Sequence, residues 1–119
     1  MQLFGIPNCN TVKKARDWLS QHGVAYEFHD FKKNGVNQEL LENWLSQYPW
    51  EKLVNRAGMT WRNLSDAEKA AVVDTSSAIA LMQAKTSVIK RPVLVKNNQI
   101  ICLGFDENTY QEYFKWIKL

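Results

Sequence analysis

Gln2-Leu3-Phe4-Gly5-Ile6-Pro7-Asn8-Cys9-Asn10-Thr11-Val12 joins a short apolar run to the start of a helix within a few residues. Gln2 to Ile6 is rich in β-favouring residues, and Pro7-Asn8 has the composition of an exposed turn. From Thr11 to His22, Val12, Ala15, Trp18 and Leu19 recur at helical spacing, and Gly23 supplies a stop. Cys9 therefore stands between a strand end and a helix start, facing backbone N–H groups whose partial positive charge favours thiolate over thiol. That position reads as a nucleophile, because a packing cysteine would not follow an exposed Pro-Asn turn.

Working outward, Ala25-Tyr26-Glu27-Phe28-His29-Asp30-Phe31 alternates aromatic and polar residues with the period of a strand. The first third thus predicts β-α-β, a parallel pair joined by a right-handed crossover. After Lys33-Asn34-Gly35, Asn37 can cap a helix whose apolar face is Leu40, Leu41, Trp44, Leu45 and Tyr48. Pro49 restarts a helical turn through Leu53, and Ser65-Asp66-Ala67-Glu68 has the form of a capping box. Thr75 to Ala84 predicts a further helix with Ala78, Leu81 and Met82 inward.

Val93-Leu94-Val95 and Ile100-Ile101-Cys102-Leu103 flank Lys96-Asn97-Asn98-Gln99, whose Asn pair tolerates the positive φ of a tight hairpin. Asp106 caps a last helix with Tyr110, Tyr113, Phe114 and Ile117 on one face. The order is β-α-β, helices, β-β-α. With a cysteine after the first strand, this is an α/β, thioredoxin-like arrangement enlarged by a helical insertion from about Asn37 to Lys85. The 119 residues suit one domain spanning the whole chain.

The net charge of +3 is spread over 15 basic and 12 acidic residues. The basic residues form no block, so charge alone predicts no nucleic-acid partner. No apolar run approaches membrane-spanning length, and no basic flank is followed by a long apolar stretch, so a soluble, unexported protein is expected. Cys9 and Cys102 are too few for a disulfide framework and lack C-x-x-C pairing, which fits a reducing cytoplasm. His22 and His29 show no zinc-type spacing with them, so no metal site is expected.

A nucleophilic thiol needs thiolate stabilisation, access and a hold on its substrate. The amides of Asn10, Thr11 and Val12 point towards Cys9, and the Thr11 hydroxyl is a further donor. Lys13 and Lys14 are early-helix residues that suit a solvated face. Arg91-Pro92 stands just before the third strand, where a proline is tolerated because it need not donate to the ladder. In the thioredoxin topology this loop faces the cysteine loop, so the Arg91 guanidinium can stabilise the thiolate and bind an anionic group bidentately. Arg56 precedes Gly58, a glycine that suits a helix end, and either holds a second anion or caps that helix C-terminus. Arg62 is a weaker candidate of the same kind. Cys102 alternates within an apolar strand and reads as core, which leaves a single-thiol mechanism.

Asn8-Cys9-Asn10-Thr11, Arg56-Ala57-Gly58 and Ile89-Lys90-Arg91-Pro92-Val93, in this order, resemble the arsenate reductase (ArsC)/Spx family over nearly the whole chain. Cys9-Asn10-Thr11-Val12-Lys13-Lys14-Ala15-Arg16, Thr60-Trp61-Arg62 and Leu103-Gly104-Phe105 are shared with its YffB-type bacterial subgroup. The resemblance implies Cys9 as catalytic residue and a cis peptide at Arg91-Pro92. In the family's arsenate reductases three arginines hold the oxyanion, and glutathione with glutaredoxin completes the reduction. Arg56 and Arg91 match two of them, whereas the third falls near Leu103-Gly104, where this chain has no cation. One lost charged donor costs about 1.5–3 kcal/mol, which shifts the expectation away from arsenate. Spx regulators bind RNA polymerase and sense oxidants through C-x-x-C, but Val12 occupies the second cysteine's place here.

The expectation is a monothiol oxidoreductase with no bound cofactor. Cys9 is its nucleophile, and Arg91, Arg56, Asn10, Thr11 and Pro92 form its anion site. Glutathione is the co-substrate, glutaredoxin a partner, and a small-molecule or protein thiol the substrate. Arsenate reduction and non-enzymatic regulation through polymerase binding are the alternatives.

Overall fold

A computed structural model describes residues 1–115. Ile117, expected on the last helix, lies outside them. The elements run β1 (Gln2–Gly5), α1 (Asn10–Gln21), β2 (Glu27–Asp30), α2 (Phe31–Asn34), α3 (Gln38–Gln47), α4 (Trp50–Leu53), α5 (Met59–Arg62), α6 (Asp66–Ala70), α7 (Thr75–Ala84), β3 (Val93–Lys96), β4 (Gln99–Leu103) and α8 (Glu107–Phe114). They form two compact units, one from residues 1–30 and 91–115, the other from Phe31–Lys90.

The first unit is built on a four-stranded sheet in the order β2-β1-β3-β4. β1 pairs parallel with β2 and antiparallel with β3, and β3 pairs antiparallel with β4. This is the thioredoxin-like α/β arrangement. Leu3 and Leu94 from the sheet pack with Ala15, Trp18 and Leu19 of α1 and with Tyr110 and Phe114 of α8, all buried. The periodic residues of α1 are thus the ones that cover the sheet. Gly23, at φ 70°, ends that helix, with the Val24 N–H reaching back to the Leu19 carbonyl at 2.9 Å. Asn97 and Asn98 take φ values of 51° and 63°, so the hairpin turns on two left-handed residues as its sequence predicts. A bulge between Leu94 and Val95 shifts the β3–β4 register.

The second strand is shorter than its alternation suggests. β1 ends at Gly5, paired with Asp30, so no ladder partner remains beyond Asp30. Phe31 leaves the sheet, opens α2 and is fully buried, with its ring 6.2 Å from that of Trp44.

In the helical unit, Asn37 caps α3 by accepting the Leu40 N–H at 2.8 Å. Leu41 and Trp44 are the residues α3 buries fully, while Leu40, Leu45 and Tyr48 remain half-buried. The Ser65–Glu68 capping box opens α6. A second box, Asp74 with Ser77, opens α7 and was not evident as such in the sequence. α7 buries Ala78, Ile79 and Met82, and Leu81 is half-exposed rather than inward. Ile79-Ala80-Leu81-Met82 is apolar on every side, so periodicity cannot select the face.

Gly58 does not end a helix. α4 stops at Leu53 because Val54 bridges antiparallel to Ile89, and Gly58, at φ −79°, is the N-cap of α5. A Cβ there would come within 2.9 Å of Asn55 Nδ2, the end of a side chain that can turn aside. Because of that bridge and α2, the helical unit runs beyond both ends of the span 37–85, from Phe31 to Lys90.

Candidate active site

Gly5, at the end of β1, sets the spacing of the site. A Cβ on it would fall 2.9 Å from Val12 Cγ2 and 3.8 Å from Pro92 Cβ. The missing side chain lets the strand end, the first turn of α1 and the Arg91-Pro92 loop close together. Sequence reading passed over this residue, although a glycine inside a strand run signals close backbone approach. Pro92 is buried, its peptide bond with Arg91 is cis, and its carbonyl accepts the Gly104 N–H at 2.8 Å. Arg91 is half-buried immediately before β3.

Cys9 is the N-cap of α1, extended at φ −145° and ψ 124°, with its carbonyl accepting the Lys13 N–H at 2.9 Å. An N-cap usually carries an oxygen side chain that accepts helix amides. Here a half-buried sulfur takes that place without a bond of capping geometry, and no acidic residue in the first turn competes for the amides. Burial of the sulfur raises its pKa. The Val12 N–H, the Arg91 guanidinium, by hydrogen bond and by charge, and the Thr11 N–H together outweigh burial and hold the thiol below its ordinary value.

The structure thus brings Cys9, Thr11, Arg91 and Pro92 together within the sheet unit. Thr11 acts on the sulfur through its amide, not its hydroxyl. Asn10 is the exposed first residue of α1 and is not among the groups that lower the thiol. Arg56 is exposed in the turn between α4 and α5 of the helical unit, its guanidinium carbon 5.5 Å from the Trp50 ring. It does not cap a helix C-terminus there. Arg62 is the exposed last residue of α5, and Lys13 and Lys14 are exposed on α1.

Cys102 is buried, with its thiol donating to the Gly104 carbonyl at 3.2 Å. His22 stacks on Trp18 with ring centroids 3.8 Å apart, and His29 packs 4.9 Å from the Phe4 ring. Among the described residues, no three His, Cys, Asp or Glu side chains form a cluster that could hold a metal ion. None of the helices described is long and apolar enough to cross a membrane.

A thiol held below its ordinary pKa at a helix start, beside an Arg-cis-Pro loop, has the surroundings that nucleophilic sulfur chemistry requires. The model of one family, described as the ArsC family, matches residues 4–113. This chain belongs to the ArsC family. Among solved structures, it is similar to the YFFB protein, with 45% identity over 93% of this chain and 96% of that one, at a TM-score of 0.87. An arsenate reductase (ArsC) related protein from Brucella melitensis is 46% identical over 96% of this chain and 93% of that one, at a TM-score of 0.76. The global transcriptional regulator Spx of Streptococcus agalactiae is 29% identical over 93% of this chain and 80% of its own length. ArsC membership and these neighbours give the chain the fold of an arsenate-reductase-like thiol oxidoreductase.

Proposed function

We propose that this ArsC-family protein is a monothiol oxidoreductase in which Cys9 is the nucleophile and glutathione the co-substrate. The observation that carries this reading is the Cys9 sulfur held towards thiolate by the Val12 amide and the Arg91 guanidinium. The Cys9 thiolate attacks one sulfur of a disulfide, such as a glutathione mixed disulfide. The S–S bond breaks, the substrate leaves as a thiolate that takes a proton, and a Cys9–glutathione disulfide remains. The thiolate of a second glutathione attacks the bound glutathione sulfur. That attack returns Cys9 as thiolate and releases oxidised glutathione, so the disulfide passes from the substrate to a glutathione pair and one reduced glutathione is consumed per turnover.

Arg91 stabilises the thiolate as leaving group and offers its fork to a carboxylate. Arg56 is assigned a supporting anion contact, and glutaredoxin can replace the second glutathione. Cys102, buried and bonded to Gly104, has the surroundings of a structural thiol, in keeping with external resolution. A reducing compartment such as the cytoplasm supplies the thiol. The test is intact-mass analysis after oxidised-glutathione treatment, which should show one glutathione adduct at Cys9. Absence of the adduct, or equal labelling of the unfolded chain, would overturn the reading.

Arsenate reduction is a second reading, favoured by Arg91 beside Cys9 and by the arsenate-reductase-related neighbour. The lack of a cation at Leu103-Gly104 weakens it. Turnover of arsenate with glutathione and glutaredoxin, abolished in Cys9→Ser, would establish it. The similarity to Spx favours a regulator that binds RNA polymerase, which a polymerase pull-down tests directly.

A further inference from the structure

One side of α1 carries a feature that the mechanism does not use. A groove of about 380 Å³ is lined by Pro7, Lys13, Arg16, Asp17, Ser20 and Tyr26. Arg16 is pinned in it. Its Nε–H donates to the Tyr26 hydroxyl at 3.0 Å, and its guanidinium carbon lies 4.2 Å from the Phe28 ring centroid. Those contacts fix the plane of the guanidinium and occupy only one of its five N–H donors. Among the described residues neither Arg16 nor Lys13 is ion-paired, so both terminal nitrogens of Arg16 and the Lys13 ammonium are available. Two cations against the single carboxylate of Asp17 leave the lining net positive.

Helix geometry relates this groove to Cys9. At about 100° and 1.5 Å per residue, a residue seven positions on returns to within about 20° of the starting direction, about 10.5 Å along the axis. Lys13, Arg16 and Ser20 therefore lie along one side of α1, and Cys9 is its N-cap, about one turn along the axis before Lys13 and about two before Arg16. Pro7, in the loop that carries Cys9, closes the near end of the groove.

We infer that this groove is a carboxylate subsite, in which the Arg16 fork and Lys13 hold the anionic end of a peptide thiol whose sulfur is at Cys9. The inference rests on Cys9 as the thiol centre. It specifies the substrate class: a short peptide thiol with a carboxylate within about two helical turns of its sulfur. A pinned guanidinium loses little side-chain entropy on binding, which favours a planar, bidentate partner over a spherical one.

The test uses S-methylglutathione, which keeps the carboxylates but cannot react with Cys9, so failure of the Cys9 chemistry would not disturb it. Titration of the full chain, followed through the Arg16 Nε–H resonance, should give a saturable shift. Arg16→Gln, which lacks that resonance and is compared with wild type by titration calorimetry, should weaken binding about tenfold, in line with loss of a charge-assisted pair. The dimethyl ester of the ligand should leave the resonance unmoved. Lys13→Gln, an exposed change that does not touch the Arg16 contacts, should weaken binding in the same direction and serves if Arg16→Gln fails to fold. An unmoved resonance, or unchanged affinity in the variants, overturns the subsite. Inorganic phosphate competing as well as S-methylglutathione would make it a general oxyanion site and overturn the peptide assignment.

Discussion

Arg91→Ala tests the electrostatic core of the site. In the folded protein the guanidinium acts on Cys9 both as hydrogen-bond donor and as nearby charge. A hydrogen bond to a charged group is worth about 1.5–3 kcal/mol, and the half-exposed position of Cys9 screens it towards the lower end. The variant should therefore titrate above wild type. The assay is the rate of Cys9 alkylation by iodoacetamide across pH, with peptide mapping to separate Cys9 from buried Cys102. Below both midpoints the variant should react about tenfold more slowly, and above both midpoints the two rates should converge. Identical midpoints would refute the assignment of Arg91 to the thiolate.

The same depression predicts a pH-dependent stability. Ionisation of Cys9 is easier folded than unfolded, so the thiolate stabilises the fold above the unfolded thiol pKa of about 8.5. That contribution is lost as pH falls through the lower, folded value. The stability difference between wild type and Cys9→Ser should accordingly shift in favour of wild type as pH rises through this window. A difference independent of pH would contradict the linkage.

Gly5→Ala places a methyl group 2.9 Å from Val12 Cγ2, and overpacking of this kind costs about 1–3 kcal/mol. Urea unfolding should show that loss, and displacement of the first helical turn should slow Cys9 alkylation in the same variant. Ile79→Ala should cost about 2–4 kcal/mol and Leu81→Ala less than half as much, because Ile79 is buried and Leu81 half-exposed. Equal losses in denaturant midpoints would restore the inward assignment of Leu81. Asn98→Ala leaves φ 63° to a residue without asparagine's tolerance of the left-handed region and should lower the thermal midpoint, whereas Asn98→Gly should not. Matching midpoints for the two would show that the turn relaxes away from the left-handed conformation.

The parts of this chain legible in its sequence are those where one local rule acts alone. The alternation in β2, the periodicity of α1, the Ser65 box and the Asn97-Asn98 turn each follow from backbone geometry over a few residues. Where two rules competed, local pattern could not rank them. Gly58 matched a helix stop, but the Val54–Ile89 bridge ended α4 first and left the glycine to open α5. Phe31 matched a strand, but its partner strand had already ended at Gly5.

The candidate site divides along the same line. Cys9 at a helix start is a local signal, because α1 itself supplies the amides that act on it. Arg91 was reachable through topology, since β3 lies beside β1 in this arrangement and carries the loop with it. Gly5 and Arg16 were missed as site residues because their roles depend on what is absent at one position and on what two neighbours do at another. Gly5 matters only once Val12 and Pro92 are known to converge on it. Arg16 sits in a helix among other basic residues, and only the Tyr26 hydroxyl and the Phe28 ring turn a solvated cation into an oriented one. A nucleophile can be read from a single turn of helix. The groove inferred to hold a carboxylate depends on side chains brought together from β2 and its approach, ten or more residues away, and it becomes visible only when the fold is complete.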